Sequence, residues 1–593
     1  MTESTFQSPA ATTRAWHPAV MLIVATIMVL VFAPGMRTPL AQDDFQHLMT
    51  VERHGDGVWF SYFEFGVLQY RPTMNVWFAG LRAAFGLDPV AWHCISLVLF
   101  VWTVWLLVLL MRRLGISRAG QFAGAVFIAC HAALLVWITW TAASNSLLVT
   151  FFSLLTLVLL QSGGWRKRVA VPAFALALTS REVAVVLPVL ALLTRLCAPA
   201  ANHSSSGSGV ATTDGMETPP ERAGHPLLDY RAVWREAVRL WPMWLVLGVY
   251  LAIRVPVLVG RPAGAYGMSP GLHGAGNLIV LGRNASGMLV GGQHALVAAV
   301  WQTLFWMAMI GASVLLWRGG DRRAWLGLLW FLVGVAPVVF IRGHMMDPHY
   351  LDMALPGLGI TIGCMFRLIP AGRPVRVAVV CGFACVFWVA LCVVAVRDAV
   401  ATSPVTFQAL RGEAMLRDIQ HLHPRLPTGA TLYLSGADDA IGHALGFGDA
   451  LRVVYGEPTI ELLFEHRGDA DDPSFIHLSL RDGHVFAGTA PSDSSSAAQR
   501  PPVIIRLHPA GTPVGQGFGV QPDGQSAMSV VCRGATPGTV VVMNGIELVT
   551  TFGGPTLVTA LVPADLYRLA GHYPVVLRNR LGSGEPVEFV VGE

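Results

Sequence analysis

Lysine is almost absent from this chain. Lys167 is the only one in 593 residues, so arginine supplies nearly all of the 40 basic side chains. Charge of either sign is also scarce at 13%, against about a quarter in a soluble globular domain. That excludes an ordinary water-soluble fold for most of the length. The arginines lie scattered through short loops and do not gather on one face, so no nucleic-acid footprint is present. Of the eight cysteines, Cys94, Cys130, Cys364, Cys381, Cys385 and Cys392 sit inside apolar runs, and Cys532 stands alone in the tail. No disulfide framework follows. Cys381 and Cys385 share a helix face at i, i+4 but read as small core residues. His344 and His349 are five apart, and Asp347 does not complete a ligand set, so no metal signature emerges. No strand precedes the glycines near residue 207 and no lysine follows them, which argues against a phosphate-binding loop.

What remains is strongly apolar: 54% hydrophobic residues, with a mean hydropathy of +0.56. A bilayer core of about 30 Å needs about 20 apolar residues per helix. The candidate spans are 18–34, 92–111, 119–139, 142–161, 169–180, 183–197, 240–259, 293–317, 324–341, 350–366 and 375–397, eleven in all, the pair around 169–197 being short. The dense basic clusters (Arg112-Arg113 with Arg118, Arg166-Lys167-Arg168, Arg195 to Arg239, Arg318 with Arg322-Arg323, and Arg367 with Arg373 and Arg376) then fall on one side. The positive-inside rule makes that side cytoplasmic. Residues 1–17 form a polar cytoplasmic N-terminus, and the first apolar run, lacking a clear cleavage site, reads as an anchor.

The expected organisation is a transmembrane domain over 18–397, with an outer loop at 35–91 and a disordered Ser/Gly-rich inner loop at 198–226. An extracytoplasmic α/β segment over 398–489 follows, with a helix over 407–422 and short strands at Thr431–Leu434 and Leu451–Tyr455. A linker at 490–502 leads to an all-β domain over 503–593. Strands are predicted near 526–532, 538–543, 556–562, 573–579 and 586–591, and Asn544-Gly545 signals a hairpin turn. Their spacing suits a small sandwich.

The chemistry concentrates on the outer face. An ionisable residue near a membrane is a functional candidate because inserting it costs roughly 2.5–3.5 kcal/mol. Asp43 and Asp44 lie about ten residues beyond the first span. Adjacent residues diverge on a helix, so one faces a site while the other binds elsewhere; equally, both could cap a helix starting at Phe45. A carboxylate there can take a proton from a hydroxyl. Arg71, Arg181, Arg254 and His349 are the candidate phosphate-binding residues, since the arginine fork matches a phosphate. Each has a plainer alternative: Arg71 pins the loop before Pro72, Arg181-Glu182 forms a solvated turn, Arg254 snorkels to the surface. Tyr70, Glu182 and Tyr350 are the candidate positioning residues; an interfacial aromatic belt also explains Tyr350.

Asp43-Asp44, Tyr70-Arg-Pro72, Phe85-Gly86-Leu, the span ending Arg112-Arg113-Leu-Gly115, Ser180-Arg-Glu182, Tyr250-x-x-x-Arg254 and His349-Tyr350 occur in an order that resembles the GT-C superfamily of polyprenyl-phosphate-sugar glycosyltransferases. Within it the chain most resembles the branch of protein O-mannosyltransferase-like and transmembrane-and-TPR mannosyltransferases, over residues 18–397. The resemblance implies an inverting transfer from a lipid-phosphate sugar to a protein, glycan or lipid hydroxyl, with the loop acid as base and basic residues on the phosphate. No obligatory cofactor is expected, although magnesium or manganese would be compatible; the arginine-rich, lysine-poor usage and the β module point to a bacterial source, with the inner membrane as the setting. The family often has lysine where Arg181 stands and arginine where His349 stands, and TPR repeats are absent here. The tail, with Val542-Met-Asn-Gly-Ile-Glu-Leu, Leu557 to Pro563 and Gly571-His-Tyr-Pro-Val, resembles immunoglobulin-like modules of IPT/TIG type, which bind or space. A transporter of lipid-linked saccharide, or a non-catalytic anchor displaying the β domain, are the rival readings.

Overall fold

The computed structural model describes residues 9–67, 69–198, 229–259, 271–287, 295–321, 323, 325–341, 348–369, 374–437, 439–464, 475–481, 483–488, 501–519, 521, 525–536, 538–554, 557–579 and 582–592. The expected disordered loop at 198–226 lies outside them except for Ala198, as does the linker up to residue 500. The chain divides into two compact units, Met1–His421 with Asp438–Pro458, and Leu422–Ala437 with Thr459–Glu593.

The first unit is helical: α1 (Pro9–Phe32), α2 (Asp43–His54), α3 (Pro72–Phe85), α4 (Pro89–Arg113), α5 (Arg118–Ala129), α6 (Val136–Thr139), α7 (Ser144–Leu160), α8 (Arg166–Ser180), α9 (Leu187–Cys197), α10 (Tyr230–Arg239), α11 (Trp241–Val259), α12 (His273–Ala285), α13 (Ala295–Arg318), α14 (Leu326–Val339), α15 (Leu355–Met365), α16 (Pro374–Thr402), α17 (Pro404–Leu422), α18 (Asp439–Ala444) and α19 (Asp449–Tyr455). Among the described residues six helices are long and apolar enough to cross a membrane: Pro18–Gly35, Pro89–Arg113, Thr141–Leu160, Trp241–Val259, Leu296–Arg318 and Val375–Thr402. A seventh span results if Arg118–Ala129 and Ala132–Thr139, bent by 51°, count as one. The chain is an integral membrane protein. The remaining candidates, at 169–180, 183–197, 324–341 and 350–366, fold as helices α8, α9, α14 and α15 of 11 to 15 residues, too short to cross about 30 Å alone at 1.5 Å per residue.

Local sequence explains where the helices begin. Asp88 accepts hydrogen bonds from the backbone N–H of Val90 (2.9 Å) and Ala91 (3.4 Å), with Pro89 as the first helical residue of α4. Both features satisfy or remove donors that a helix start leaves without partners. Ser117 caps α5 in the same way through Gly120 N–H.

The centre of this unit is α15, buried along nearly all its length and packed against α5 and α14. Gly120 and Gly124 on α5 meet Gly363 and Gly359 on α15. A Cβ added at Gly120 would lie 2.1 Å from Gly363 O, and one at Gly124 would lie 2.5 Å from Gly359 O. Two G-x-x-x-G stripes therefore bring the backbones together, the packing available where lipid removes any hydrophobic drive between helices. Gly327 on α14 touches the other side, its missing Cβ 2.2 Å from Gly357 O.

One expectation is corrected: residues 451–455 form part of helix α19, not a strand. Gly448 (φ 97°) and Gly456 (φ 65°) bound the segment in left-handed conformations, the second a common helix stop. A short apolar run cannot distinguish helix from strand by periodicity.

The second unit is built of strands. β1 (Thr431–Ser435), β2 (Glu461–Leu463), β3 (Phe475–Arg481) and β4 (His484–Ala487) form a sheet ordered β2-β1-β3-β4. β5 (Val503–His508), β6 (Gly511–Pro513), β7 (Ser526–Arg533), β8 (Val540–Met543), β9 (Ile546–Glu547), β10 (Val549–Gly554), β11 (Leu557–Val562), β12 (Gly571–Asn579), β13 (Gly582–Ser583) and β14 (Val587–Gly592) form two more, ordered β10-β11-β7-β5 and β6-β14-β12-β8-β9, with β13 beside β12. These two share one core, Met528, Val530 and Val558 meeting Val541, Leu577 and Phe589. Asn544 (φ 51°) and Gly545 (φ 81°) make the β8–β9 turn.

Gly124→Ala should lower the unfolding midpoint of the detergent-solubilised protein by an amount matching about 2 kcal/mol of overpacking. Gly311→Ala, whose Cβ meets nothing within 4 Å, should leave the midpoint unchanged or raise it slightly.

Candidate active site

The loop that follows α1 turns sharply before α2. Gln42, the residue preceding the helix, sits at φ 54°, ψ −122°, a conformation that costs a non-glycine residue about 1–3 kcal/mol. Asp44 holds that turn in place. Its carboxylate is 1% exposed and accepts from Ala41 N–H (3.0 Å) and, across the fold, from Ala142 N–H (2.6 Å). Burial nevertheless raises its pKa to about 7, with the two backbone bonds opposing and Asp43 adding to the rise. His93 braces the same loop by donating through Nε2 to Thr38 O (2.8 Å).

With Asp44 turned inward, Asp43 is exposed at the first position of α2. Partial desolvation raises its pKa above the ordinary carboxylate range, against the opposing fields of Arg71 and His443. His47 lies one turn further on the same helix face, its ring 5.3 Å from Phe78. Burial and then the Arg71 charge push its pKa down to about 3, so its imidazole is neutral. Gly446 packs on the turn as well: a Cβ there would lie 3.0 Å from Gln42 O. Residues 446–455 thus pack against α2, and Gln408 of α17 is hydrogen-bonded to Gln42.

The predicted cations divide into two kinds. Arg71 precedes α3 and remains partly exposed, its Nε 3.7 Å from the Glu182 carboxylate. Arg181 and Arg254 are buried and bonded within the protein. Arg181 follows the last turn of α8 in extended backbone. Its guanidinium donates to Asp352 Oδ2 (2.5 Å), His349 O (3.2 Å) and Ser146 Oγ, and lies 5.1 Å from the centre of the Tyr350 ring. Arg254 donates to Phe65 O and Val67 O, each at 2.7 Å, and lies 5.3 Å from the Tyr70 ring. Tyr70 in turn donates to Tyr62 O (2.7 Å). The ring of His349 stands 4.2 Å from Tyr350 and 6.0 Å from Trp140.

The structure therefore brings Asp43, Arg71 and Glu182 towards one neighbourhood and links Arg181, His349 and Tyr350 in a second, buried cluster. Arg342, His344 and Asp347 lie outside the described residues. Three participants went unread in the sequence. Asp352 carried a signal, a carboxylate inside an apolar run; His47 and His443 carried none, since tertiary packing alone brings them near Arg71 and Asp43. Among the described residues, no group of three or more His, Cys, Asp or Glu is placed to hold a metal ion.

No protein-family model and no curated protein matches the chain. Among solved structures it is similar to ArnT from Cupriavidus metallidurans in the apo state, at 13% identity and TM-score 0.42 over 74% of this chain and 85% of that one. It is likewise similar to the same protein bound to undecaprenyl phosphate, at 13% and 0.41 over 77% and 90%. A third likeness is to the Archaeoglobus fulgidus oligosaccharyltransferase tethered to an acceptor peptide, at 11% and 0.38 over 75% and 63%. At this level individual residues do not pair.

Two stability tests follow from the buried groups. Asp44 has a folded pKa above its ordinary 3.8, so its titration withdraws stability as pH rises from 3.8 to about 7. Asp44→Asn should lose about 2 kcal/mol through its mismatched amide donor. Its deficit relative to wild type should shrink across that window in thermal unfolding. Arg181→Gln should cost about 3–5 kcal/mol by stranding Asp352, and Arg181→Gln/Asp352→Asn should recover part of that loss in a double-mutant cycle.

Proposed function

We propose that this chain is a membrane glycosyltransferase of GT-C type, moving a sugar from a polyprenyl-phosphate donor to a hydroxyl on a protein, glycan or lipid acceptor outside the cytoplasm. The observation that carries this reading is Asp43. It is an exposed carboxylate at the start of a helix just beyond a membrane span, with its neighbour Asp44 turned inward, and the partly exposed Arg71 contributes to its electrostatic surroundings.

In the proposed step the Asp43 carboxylate takes the proton of the acceptor hydroxyl while that oxygen attacks the anomeric carbon. The bond from that carbon to the phosphate oxygen breaks through an oxocarbenium-like state, as in other glycosyl transfers. The electron pair leaves on the phosphate, giving a polyprenyl phosphate and inversion at the anomeric carbon. The raised pKa of Asp43 makes it a better base than an ordinary carboxylate. Arg71 is the cation assigned to the departing phosphate, where a preorganised positive charge lowers the barrier, and Glu182 orients it. Arg181 and Arg254, with His349, Tyr350 and Tyr70, build the walls. Arg254 fixes residues 65–67 of the outer loop, and Arg181 ties the end of α8 to the segment before α15.

The N-terminus is assigned to the cytoplasm, the tail to the far side, and the protein to a bacterial inner membrane. The β domain would act as an immunoglobulin-like module that binds or spaces the acceptor. Mannose heads the panel of sugars to test, with and without magnesium or manganese.

Release of free polyprenyl phosphate from polyprenyl-phosphate sugars, measured on the purified protein, tests the reading. Asp43→Asn should lower turnover by about 10²–10⁴-fold with the unfolding midpoint retained. Arg71→Gln should lower it as well, with Arg71→Lys intermediate. The wild-type rate should rise with pH on a limb above the ordinary carboxylate value of 3.8, as Asp43 loses its proton. Turnover indifferent to Asp43, or absent with every donor, would overturn the assignment.

A further inference from the structure

At the end of α8 opposite Arg181, about 22 Å away along a 15-residue helix, lies a cavity of about 400 Å³. Two stretches remote in sequence form it: Leu160, Gly164, Lys167 and Arg168 at the α7–α8 turn, and Arg239 and Trp241 at the α10–α11 junction. The only lysine of the chain is therefore in its wall. Lys167 and Arg168 are exposed, and among the described residues neither is paired with a carboxylate. Three cations therefore line the cavity, and the Glu236 carboxylate that pairs with Arg239 is shared with Arg195.

The level of this cavity in the membrane can be read from its surroundings. α7 ends at Leu160 and α11 begins at Trp241, both at the limits of candidate spans. Trp241 is 62% exposed and Trp165 is 69% exposed, as tryptophans are where headgroups meet acyl chains. Apolar wall residues, Val171 on α8 and Met243 on α11, lie further along their helices. Cations at the headgroup level above apolar walls reproduce the order of an anionic phospholipid. The plainer reading, that these residues only orient the spans, explains their charge but not a cavity shared by two remote segments.

We infer that this cavity binds the phosphate headgroup of an anionic phospholipid in the leaflet opposite Asp43. Arginine and lysine offer charge-assisted donors to its oxygens, and basic pockets between spans on the cytoplasmic side suit such headgroups. The lipid would pin α8 to α11.

Native mass spectrometry of the full chain in neutral detergent, titrated with phosphatidylglycerol or phosphatidylcholine, tests this. One phosphatidylglycerol should bind in preference to phosphatidylcholine. Affinity should fall about fivefold per cation removed, and about a hundredfold in Lys167→Gln/Arg168→Gln/Arg239→Gln. Lys167→Gln alone, at an exposed position, serves if the triple variant misfolds. Arg318→Gln/Arg376→Gln, at the ends of other spans, should bind as wild type does. Equal retention by wild type and the cavity variants, or equal loss in the control variant, would overturn the inference. Displacement by inorganic phosphate at concentrations comparable to the lipid would overturn it too, assigning the cavity to a soluble anion.

Discussion

The candidate site of this protein depends on one buried carboxylate. Asp44 is buried, and it takes two backbone donors from segments about a hundred residues apart, Ala41 and Ala142. An ionised carboxylate can accept several hydrogen bonds and an amide cannot replace both of its oxygens, so the position is chemically narrow. The left-handed Gln42 persists because this clamp and the contacts of Gln408 and Gly446 over-determine the turn. What the turn accomplishes is to separate two neighbouring acids. One serves as structure, and the other is presented to solvent at a helix start, where the helix dipole favours its charge.

The arginines show the same division. In an apolar surrounding a guanidinium must find acceptors, and this fold supplies them in two ways. Arg254 uses the carbonyls of Phe65 and Val67, converting a charge in a candidate span into a fastener for the loop before α3. Arg181 uses a true counterion, Asp352, and joins the α8–α9 break to the segment before α15. Such a pair is weak evidence of stability by itself but expensive to break on one side. Arg71, by contrast, meets Glu182 only at 3.7 Å and stays partly exposed; in the proposed step its charge would be offered to the phosphate. A buried cation shapes a site, and a partly solvated one can exchange its partner for a substrate.

Much of this was legible beforehand. Apolar run lengths marked the spans, and Asn544-Gly545 marked a hairpin because φ above zero at both positions is costly for most other residues. The acid pair and the Arg181-Glu182 corner stood out because charge is rare in such a chain. The short helices were harder. α8, α9, α14 and α15 have the composition of spans without the length, and only their packing explains them: α15 is sealed between α5 and α14 by close glycine contacts, and its partners on α5 are more than two hundred residues away in sequence. The segment 451–455 was misread because five apolar and basic residues carry no decisive period.

The sequence by itself determined the membrane character, the mostly helical first part with a β-rich tail, and the set of ionisable residues able to carry chemistry. Those properties follow from composition and local periodicity, which are summed along the chain. Tertiary structure alone decided which residue of each pair faces inward: Asp44 rather than Asp43, Arg181 rather than Glu182. It also chose the partners, Ala142 for Asp44, Asp352 for Arg181, and His443 beside Asp43. Burial and pairing of a charge depend on what packs against it, and in this protein those neighbours come from distant segments that leave no periodic trace near the residue they govern.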